Sequence, residues 1–161
     1  MVKKGAEEIR RMGPSGTTAS PAPRILFVCY GNICRSPMAA AIAARRLGSK
    51  AEVASAGIAA APGTPVAYEA VLVMRIVYKT DIRGQTARNI MDVDAKSFDY
   101  VIAMDLTIFN RLKLLGIIPD DRLYAWNIDD PLGQDYDTFK STAREIERRL
   151  DKFLAGVGLD D

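Results

Sequence analysis

A cysteine and an arginine are separated by five residues in this chain, at Cys29 and Arg35, and a second cysteine, Cys34, directly precedes the arginine. The 161 residues contain no other cysteine and no histidine. Mechanisms that need an imidazole base or ligand, as in Ser-His-Asp hydrolases, Cys-His proteases and most catalytic zinc sites, are therefore excluded. Two cysteines also provide neither a disulfide framework nor a four-thiolate zinc site. Any reaction at Cys29 must use a different set of groups.

The segment that holds Cys29 and Arg35 lies between a predicted strand and a predicted helix. Ile25–Val28 is a short apolar run typical of a buried parallel strand, and Ser36-Pro37 predicts a helix start with a capping hydroxyl and a first-position proline. In such a loop, successive backbone N–H groups can surround an anion while the guanidinium binds two phosphate oxygens. The same positive field favours the thiolate form of Cys29, which would make it a nucleophile.

The residue types within this segment also favour a phosphate-binding loop. Gly31 and Asn32 tolerate the left-handed backbone that inward-pointing amides require, and Ser36 could both cap the helix and donate a hydrogen bond to the sulfur. An arbitrary Cys and Arg at this spacing would more often be a buried structural thiol and a surface cation. The flanking elements make the loop the better interpretation. Its predicted members are Cys29, Tyr30, Gly31, Asn32, Ile33, Cys34 and Arg35.

Hydrolysis of a phosphate ester also needs a proton donor for the leaving oxygen, and without histidine a carboxylic acid is expected. Asp130 is the candidate, in a loop after the last predicted strand, with Pro131 to stiffen its backbone. Taken alone, Asp-Asp-Pro is only a turn signal. Sequence reasoning leaves Asp129, Asp105 and Asp135 open as alternatives.

Strand-like and helix-like segments alternate along the rest of the chain. This alternation predicts an α/β fold, an open parallel sheet with helices on both sides and ligands at the carboxyl ends of the strands. The predicted strands after the first are Glu52–Ser55, Tyr100–Met104 and Leu123–Trp126. The predicted helices are one from Met38 to Leu47, one opening at Thr64-Pro65, one from the Asp105 cap to Leu115 with Gly116 at its end, and one from Asp137 to Ala155. The last of these carries Phe139, Ala143, Ile146, Leu150 and Phe153 on one face.

Length and composition predict a single domain with a real core, because 161 residues are 48% hydrophobic and 26% charged. We expect a flexible tail at residues 1–23, a catalytic domain at 24–157 and a short C-terminal tail at 158–161. The net charge of +2 gives no argument for nucleic acid or an anionic membrane surface. The apolar runs are too short for a membrane helix, so a cytoplasmic location is expected.

The segment Val28–Pro37 closely resembles the signature loop of the low molecular weight protein tyrosine phosphatases. Val53–Gly57, Phe98–Asp105 and Asp130-Pro131 agree with the same family in the same order, and the resemblance covers about residues 24–154. It implies a three-layer α/β/α fold around a four-stranded parallel sheet, with the phosphate loop between the first strand and the first helix. It also implies hydrolysis of phosphotyrosine in protein substrates, with no cofactor and no metal.

The resemblance further implies a role for each matching residue. Cys29 would attack phosphorus to form a phosphocysteine, Arg35 would bind the phosphoryl oxygens, and Asp130 would act as general acid and then general base. Cys34 could form a reversible disulfide with the nucleophile, although a small apolar filler describes it equally well. The residues expected to support the loop by hydrogen bonds are Asn32, Ser36 and Ser55.

Several positions bear on the subclass. Related arginine phosphatases carry Thr where Ile33 stands, and the branched apolar residue favours an aryl ester. Thiol-relay arsenate reductases use further cysteines downstream, and none follows Cys34. Gln85 or Thr86 stands where the family usually has a histidine that contacts the loop.

Aromatic walls for the phosphotyrosine ring are not assigned by the sequence, since Leu132 and Gly133 follow Asp130-Pro131 where eukaryotic members have two aromatics. Tyr30, Trp126 or Tyr136 could provide such a wall, but an ordinary rim or core position is the better interpretation of each. Two other functions stay open. One is a binding or redox module without turnover, and the other is a phosphatase for small metabolites or phosphoarginine.

Overall fold

The structure, a computed structural model, describes residues 21–160 and contains a four-stranded, all-parallel sheet. The strands are β1 Arg24–Cys29, β2 Glu52–Gly57, β3 Tyr100–Ala103 and β4 Leu123–Ala125, in the spatial order β2-β1-β3-β4. Residues 21–160 contain four α-helices, which are α1 Arg35–Leu47, α2 Tyr68–Tyr78, α3 Leu106–Leu115 and α4 Tyr136–Val157. The predicted α/β/α fold, with the loop between β1 and α1, is confirmed.

The central position of β1 explains its composition. It pairs with β2 on one side, Cys29 opposite Gly57, and with β3 on the other, Val28 opposite Ala103. Every residue from Ile25 to Cys29 is buried, as expected for a parallel strand covered on both faces. Cys29 therefore stands at the carboxyl end of the central strand.

The helices cover both faces of the sheet. The connection from β1 through α1 to β2 and the connection from β3 through α3 to β4 run toward opposite edges. Because such crossovers are right-handed, α1 and α3 lie on opposite faces. α1, α2 and α4 also pack against one another.

Two of the predicted helix starts are wrong. The side chain of Ser36 makes no capping bond, because α1 begins at Arg35 with Cys34 in the cap position. The helix expected to open at Thr64-Pro65 begins only at Tyr68, because Pro65 instead forms an antiparallel bridge with Thr86. By contrast, the helix from the Asp105 cap to Leu115, ending at Gly116, is confirmed.

The last helix differs slightly from its predicted face. Phe139, Ala143, Ile146 and Leu150 are buried as expected, but Leu154 rather than Phe153 completes the buried stripe. Phe153 is partly buried and packs instead in an aromatic cluster with Tyr100, Tyr124 and Trp126.

Most of the expected N-terminal tail, residues 1–20, and the final residue, 161, lie outside the described residues. Within residues 21–160, no helix combines the length and the apolarity that crossing a bilayer requires. α4, the longest at 22 residues, carries charged side chains along its exposed face.

Candidate active site

The sulfur of Cys29 lies at the bottom of the loop and is buried, with 2% of the residue exposed. The backbone N–H of Asn32 points to Sγ at 3.2 Å, and the hydroxyl of Ser36 lies 2.9 Å from it. Ser36 Oγ accepts a hydrogen bond from Asn32 Nδ2 at 2.7 Å, and its own proton can be donated to the sulfur or to the more distant carbonyl oxygen of Ala56 at 3.4 Å. The Asn32 N–H and the Ser36 hydroxyl thus both face Sγ.

Asn32 holds the loop in its curved conformation. Its φ of 56° is left-handed, whereas Gly31 does not have a positive φ, so the expectation that both residues use this region is wrong for Gly31. Asn32 Nδ2 also donates to Ser55 Oγ at 2.9 Å, and Oδ1 accepts from the backbone N–H of Arg88 at 2.9 Å. The structure thus brings the three predicted supporting residues, Asn32, Ser36 and the partly buried Ser55, into one hydrogen-bonded network.

Gly57, at the end of β2, lies against the loop backbone. A Cβ atom at this position would be 2.6 Å from the carbonyl oxygen of Tyr30 and 2.9 Å from the amide nitrogen of Asn32. Real Cβ atoms do not approach backbone so closely, so only glycine fits here. This close approach explains why the segment Val53–Gly57, which resembles the family, ends in glycine.

Arg35 is buried and oriented by groups outside the loop. Its Nη1 donates at 2.8 Å both to Asp105 Oδ2 and to the carbonyl oxygen of Ile128. Nη2 lies 3.7 Å from Asp130 Oδ2, and Nε is buried without a partner among the described residues. A buried donor without a partner is costly, so Nε is expected to donate to a bound ligand.

The four carboxylates left open by the sequence occupy different positions. Asp105 caps α3 through Oδ1 and contacts Arg35 through Oδ2. Asp135 caps α4, and its hydrogen bonds from Thr138 lower the pKa of its carboxyl, which disfavours the protonated form that an acid needs. Asp130 alone lines the cavity at Cys29, with Oδ1 accepting from the Leu132 N–H. Asp129 is exposed and does not line this cavity.

The cavity above Cys29 is small, about 40 Å³. Two side chains at its mouth, Tyr30 and Leu132, are more than half exposed. Trp126 packs on Phe27 in the core, and neither Trp126 nor Tyr136 lines the cavity. The residues that line it are Cys29, Tyr30, Gly31, Ile33, Cys34, Arg35, Asp130 and Leu132.

Cys34 also lines this cavity, but its environment differs from that of Cys29. Burial, with smaller contributions from the charges of Asp130 and Cys29, raises the pKa of the Cys34 thiol to about 12. Cys34 is therefore protonated at neutral pH and, unlike an activated thiolate, is a poor nucleophile. Both cysteines are free thiols in the structure.

Sequence reasoning missed two contributors to the site. The sequence offers only Gln85 or Thr86 where the family usually has a histidine that contacts the loop, whereas in the structure a contact from this segment comes from the backbone N–H of Arg88. No side-chain pattern signals such a contact. In the sequence, Leu132 stands only where eukaryotic members have an aromatic residue, whereas the structure places it among the residues that line the cavity at Cys29.

These features are those of a known group of enzymes. The sequence profile of the low molecular weight phosphotyrosine protein phosphatase family matches residues 24–160. The chain belongs to this family. The family uses a cysteine nucleophile, and the resemblance seen in Val28–Pro37 is thereby confirmed.

Members of the family with different activities are similar to this chain. An arsenate reductase of Staphylococcus aureus (strain N315) is 33% identical over 129 residues, which is 80% of this chain and 94% of the relative. The solved low molecular weight protein tyrosine phosphatase from T. tengcongensis is 33% identical, with a TM-score of 0.74, over 83% of this chain and 99% of that one. An arginine phosphatase from Geobacillus stearothermophilus is 26% identical, with a TM-score of 0.74, over 84% and 93%.

Proposed function

We propose that this protein is a phosphotyrosine phosphatase that works through a phosphocysteine at Cys29. The observation that carries the proposal is the buried Nε of Arg35, which has no partner among residues 21–160 and belongs to a side chain that lines the same cavity as Cys29 and Asp130. A phosphoryl group bound there would provide the missing acceptor, with Nε and Nη2 donating to two of its oxygens. Nη1 is already engaged by Asp105 and Ile128.

In the first step, Cys29 Sγ attacks phosphorus, and the bond from phosphorus to the phenolic oxygen breaks as Asp130 donates a proton to that oxygen. In the second step, Asp130 takes a proton from water, the water oxygen attacks phosphorus, and the thiolate leaves with inorganic phosphate as product. The donors from Asn32 and Ser36 stabilise the sulfur anion at the start and end of the cycle. A free Cys29 thiol suits the reducing cytoplasm, which is the location we propose.

The test is phosphate release from an aryl phosphate by purified protein under reducing conditions with a chelator present. We expect Cys29→Ser to abolish turnover and Asp130→Asn to reduce it by about 10² or more. Asp129→Asn is the matched control, because Asp129 is the adjacent exposed carboxylate and does not line the cavity. Activity retained by Cys29→Ser would contradict the nucleophile. An inactive wild type that binds a phosphotyrosine peptide tightly would favour a binding or redox module.

The preference for tyrosine over arginine phosphate rests on Ile33, which lines the cavity as a branched apolar side chain. Ile33→Thr is expected to raise the hydrolysis of arginine phosphate relative to aryl phosphate, since a hydroxyl can contact a polar guanidinium. Both rates should be measured on the same preparation. An unchanged ratio would contradict this role of Ile33.

Arsenate reduction is the second candidate, because relatives 33% identical to this chain are arsenate reductases. A relay within this chain would have to use Cys34, the only thiol besides Cys29, and its raised pKa makes it a weak nucleophile. We therefore expect little arsenite from arsenate when thioredoxin or glutathione supplies electrons. Arsenite formed at a rate comparable with aryl phosphate hydrolysis would reverse this preference.

A further inference from the structure

A cavity larger than the one at Cys29 lies behind the loop. It is an open groove of about 600 Å³ between α1, the edge strand β2 and the segment from Thr80 to Arg88. This volume lies within the usual range of small-molecule sites, about 300–1,000 Å³. The side chains that line it are Ala40, Ala41, Ala44, Arg45, Val53, Ala54, Ser55, Thr80, Gln85, Thr86 and Arg88.

The lining of the groove combines apolar side chains with positive charge. Alanines of α1, together with Val53 and Ala54 of β2, make an apolar floor. The segment from Thr80 to Thr86 contributes hydroxyl and amide groups to the lining. Both charged lining residues are arginines, and the lining includes no Asp or Glu. Among residues 21–160, neither Arg45 nor Arg88 forms an ion pair. Two unpaired guanidiniums beside an apolar floor favour a ligand with an anionic group and a flat apolar body.

The groove is connected to the loop through two of its lining residues. The guanidinium of Arg88 donates from Nη2 to the carbonyl oxygen of Ser55 at 3.3 Å, a long and therefore weak bond. The same two residues hold Asn32, which donates to Ser55 Oγ and accepts from the Arg88 N–H. An anion that draws the Arg88 guanidinium away from Ser55 would thus act on the residues that shape the loop.

We propose that this groove binds a small organic anion with a flat apolar body, and that the bound anion lowers turnover through Ser55 and Arg88. The part on turnover rests on the proposed phosphatase function, whereas the binding part does not. The probe is 2-naphthoate, whose ring suits the alanine floor and whose carboxylate suits the guanidiniums. Vanadate is added to occupy the loop at Cys29, so that the probe reports on the groove.

Binding is followed by backbone amide shifts in ¹H–¹⁵N spectra. We expect saturable shifts at Val53, Ser55 and Thr86. Arg45→Glu should weaken binding about tenfold or more through loss of a charge-assisted contact. Arg46→Glu is the matched control, since it makes the same charge change in the same helical turn, but Arg46 pairs with Asp151 and does not line the groove.

A second variant blocks the groove without changing its charge. Ala44→Trp places a large side chain on the exposed surface of α1 and is expected to abolish the shifts while the protein stays folded. Amide shifts confined to Tyr30 and Leu132, at the mouth of the cavity at Cys29, would contradict binding in the groove. Equal weakening of 2-naphthoate binding by Arg45→Glu and Arg46→Glu would contradict it as well.

The effect on turnover is measured without vanadate. At saturating 2-naphthoate, kcat for an aryl phosphate is expected to fall about fivefold with little change in KM. At the same 2-naphthoate concentration, kcat of the Arg45→Glu variant should stay unchanged. An unchanged kcat, or purely competitive inhibition, would overturn the action on the loop. A wild type that hydrolyses no aryl phosphate would contradict the proposed function and this action together, and the groove would then be judged by the amide shifts alone.

Discussion

At the scale of single residues, the two cysteines of the loop are made different by their surroundings. Cys29 Sγ lies within hydrogen-bond distance of the Asn32 N–H and the Ser36 hydroxyl, whereas burial and nearby negative charge raise the pKa of Cys34. Because the sequence presents two identical thiols five positions apart, this division of roles depends on the folded loop. Oxidation to a disulfide between them stays a prediction. An external oxidant such as a peroxide would have to convert the Cys29 thiolate to a sulfenic acid, which would then condense with the Cys34 thiol with loss of water.

The raised pKa of Cys34 predicts a pH dependence of stability. A thiol whose pKa rises from 9.0 to about 12 on folding adds stability below pH 9, and this contribution is lost as the pH rises toward 12. In that window the loss approaches about 1.4 kcal/mol per pH unit. Urea unfolding between pH 8 and 10 should therefore show a steeper decline for the wild type than for Cys34→Ala, since Tyr78, whose pKa is also raised, titrates alike in both. Parallel curves of stability against pH for the wild type and Cys34→Ala would contradict this contribution of Cys34.

Asp105 has two tasks, one for each oxygen, and substitutions can separate them. Asp105→Asn keeps an oxygen to cap α3 at the Ile108 N–H but removes the charge that orients Arg35. Asp105→Ala loses both, so its free energy of unfolding should be lower by about 1 kcal/mol than that of the Asn variant. We expect both to reduce kcat/KM about tenfold or more through Arg35. Wild-type kcat/KM in Asp105→Asn would contradict the orienting role, and equal stability of the two variants would contradict the cap.

At the scale of elements, the site depends on how closely β2 approaches the loop that follows β1. The two strands are in register, with Gly57 opposite Cys29, so the end of β2 meets the first residues of the loop. The Ile58 N–H donates to the carbonyl oxygen of Cys29, and the Ala59 N–H donates to the carbonyl oxygen of Tyr30. These hydrogen bonds continue the contact beyond the sheet. The loop is thus held by an edge strand as well as by its own helix.

Gly57→Ala tests this approach. Its Cβ would meet two backbone atoms of the loop, so we expect a loss of about 1–3 kcal/mol in the free energy of unfolding from overpacking. We also expect kcat/KM to fall more than tenfold, because the loop must move. The matched control is Gly84→Ala, where nothing lies within 4 Å of the new Cβ and φ is not positive, and its stability should change by less than about 0.5 kcal/mol. Similar behaviour of the two variants would contradict the close contact.

At the scale of the whole molecule, stability and chemistry are spatially separated. Leu150 of α4 is fully buried on the helix that packs against α1 and α2, and it does not line the cavity at Cys29. Leu150→Ala should lower the free energy of unfolding by about 2–5 kcal/mol through cavity formation. The kcat per folded molecule should stay near wild type when assayed well below the melting temperature. A large loss of kcat in a fully folded sample would show that the core of α4 also sets the geometry of the loop.

The sequence is informative where the interactions are local. Val28–Pro37 carries strand, loop and helix start in one continuous segment, so its residue types and spacing suffice to assign Cys29 and Arg35 to one site. The choice of Asp130 over Asp105 cannot be made from residue types, because both follow strands and differ only in what they contact after folding. The start of α2 is misplaced by its sequence pattern because Pro65 is held by Thr86, a distant partner.

The bond between Asn32 and the backbone at position 88 has a consequence for variation and for protein engineering. Asn32 is anchored there by the main chain, not by the side chain of Arg88. Nineteen of the twenty amino acids carry that N–H, so mutagenesis at this position would leave the anchor in place until it introduced proline, which has none. A comparison of residue types at position 88 therefore does not reveal this anchor. An engineer could vary position 88 to alter the groove and still keep the main-chain hydrogen bond to Asn32 that shapes the loop.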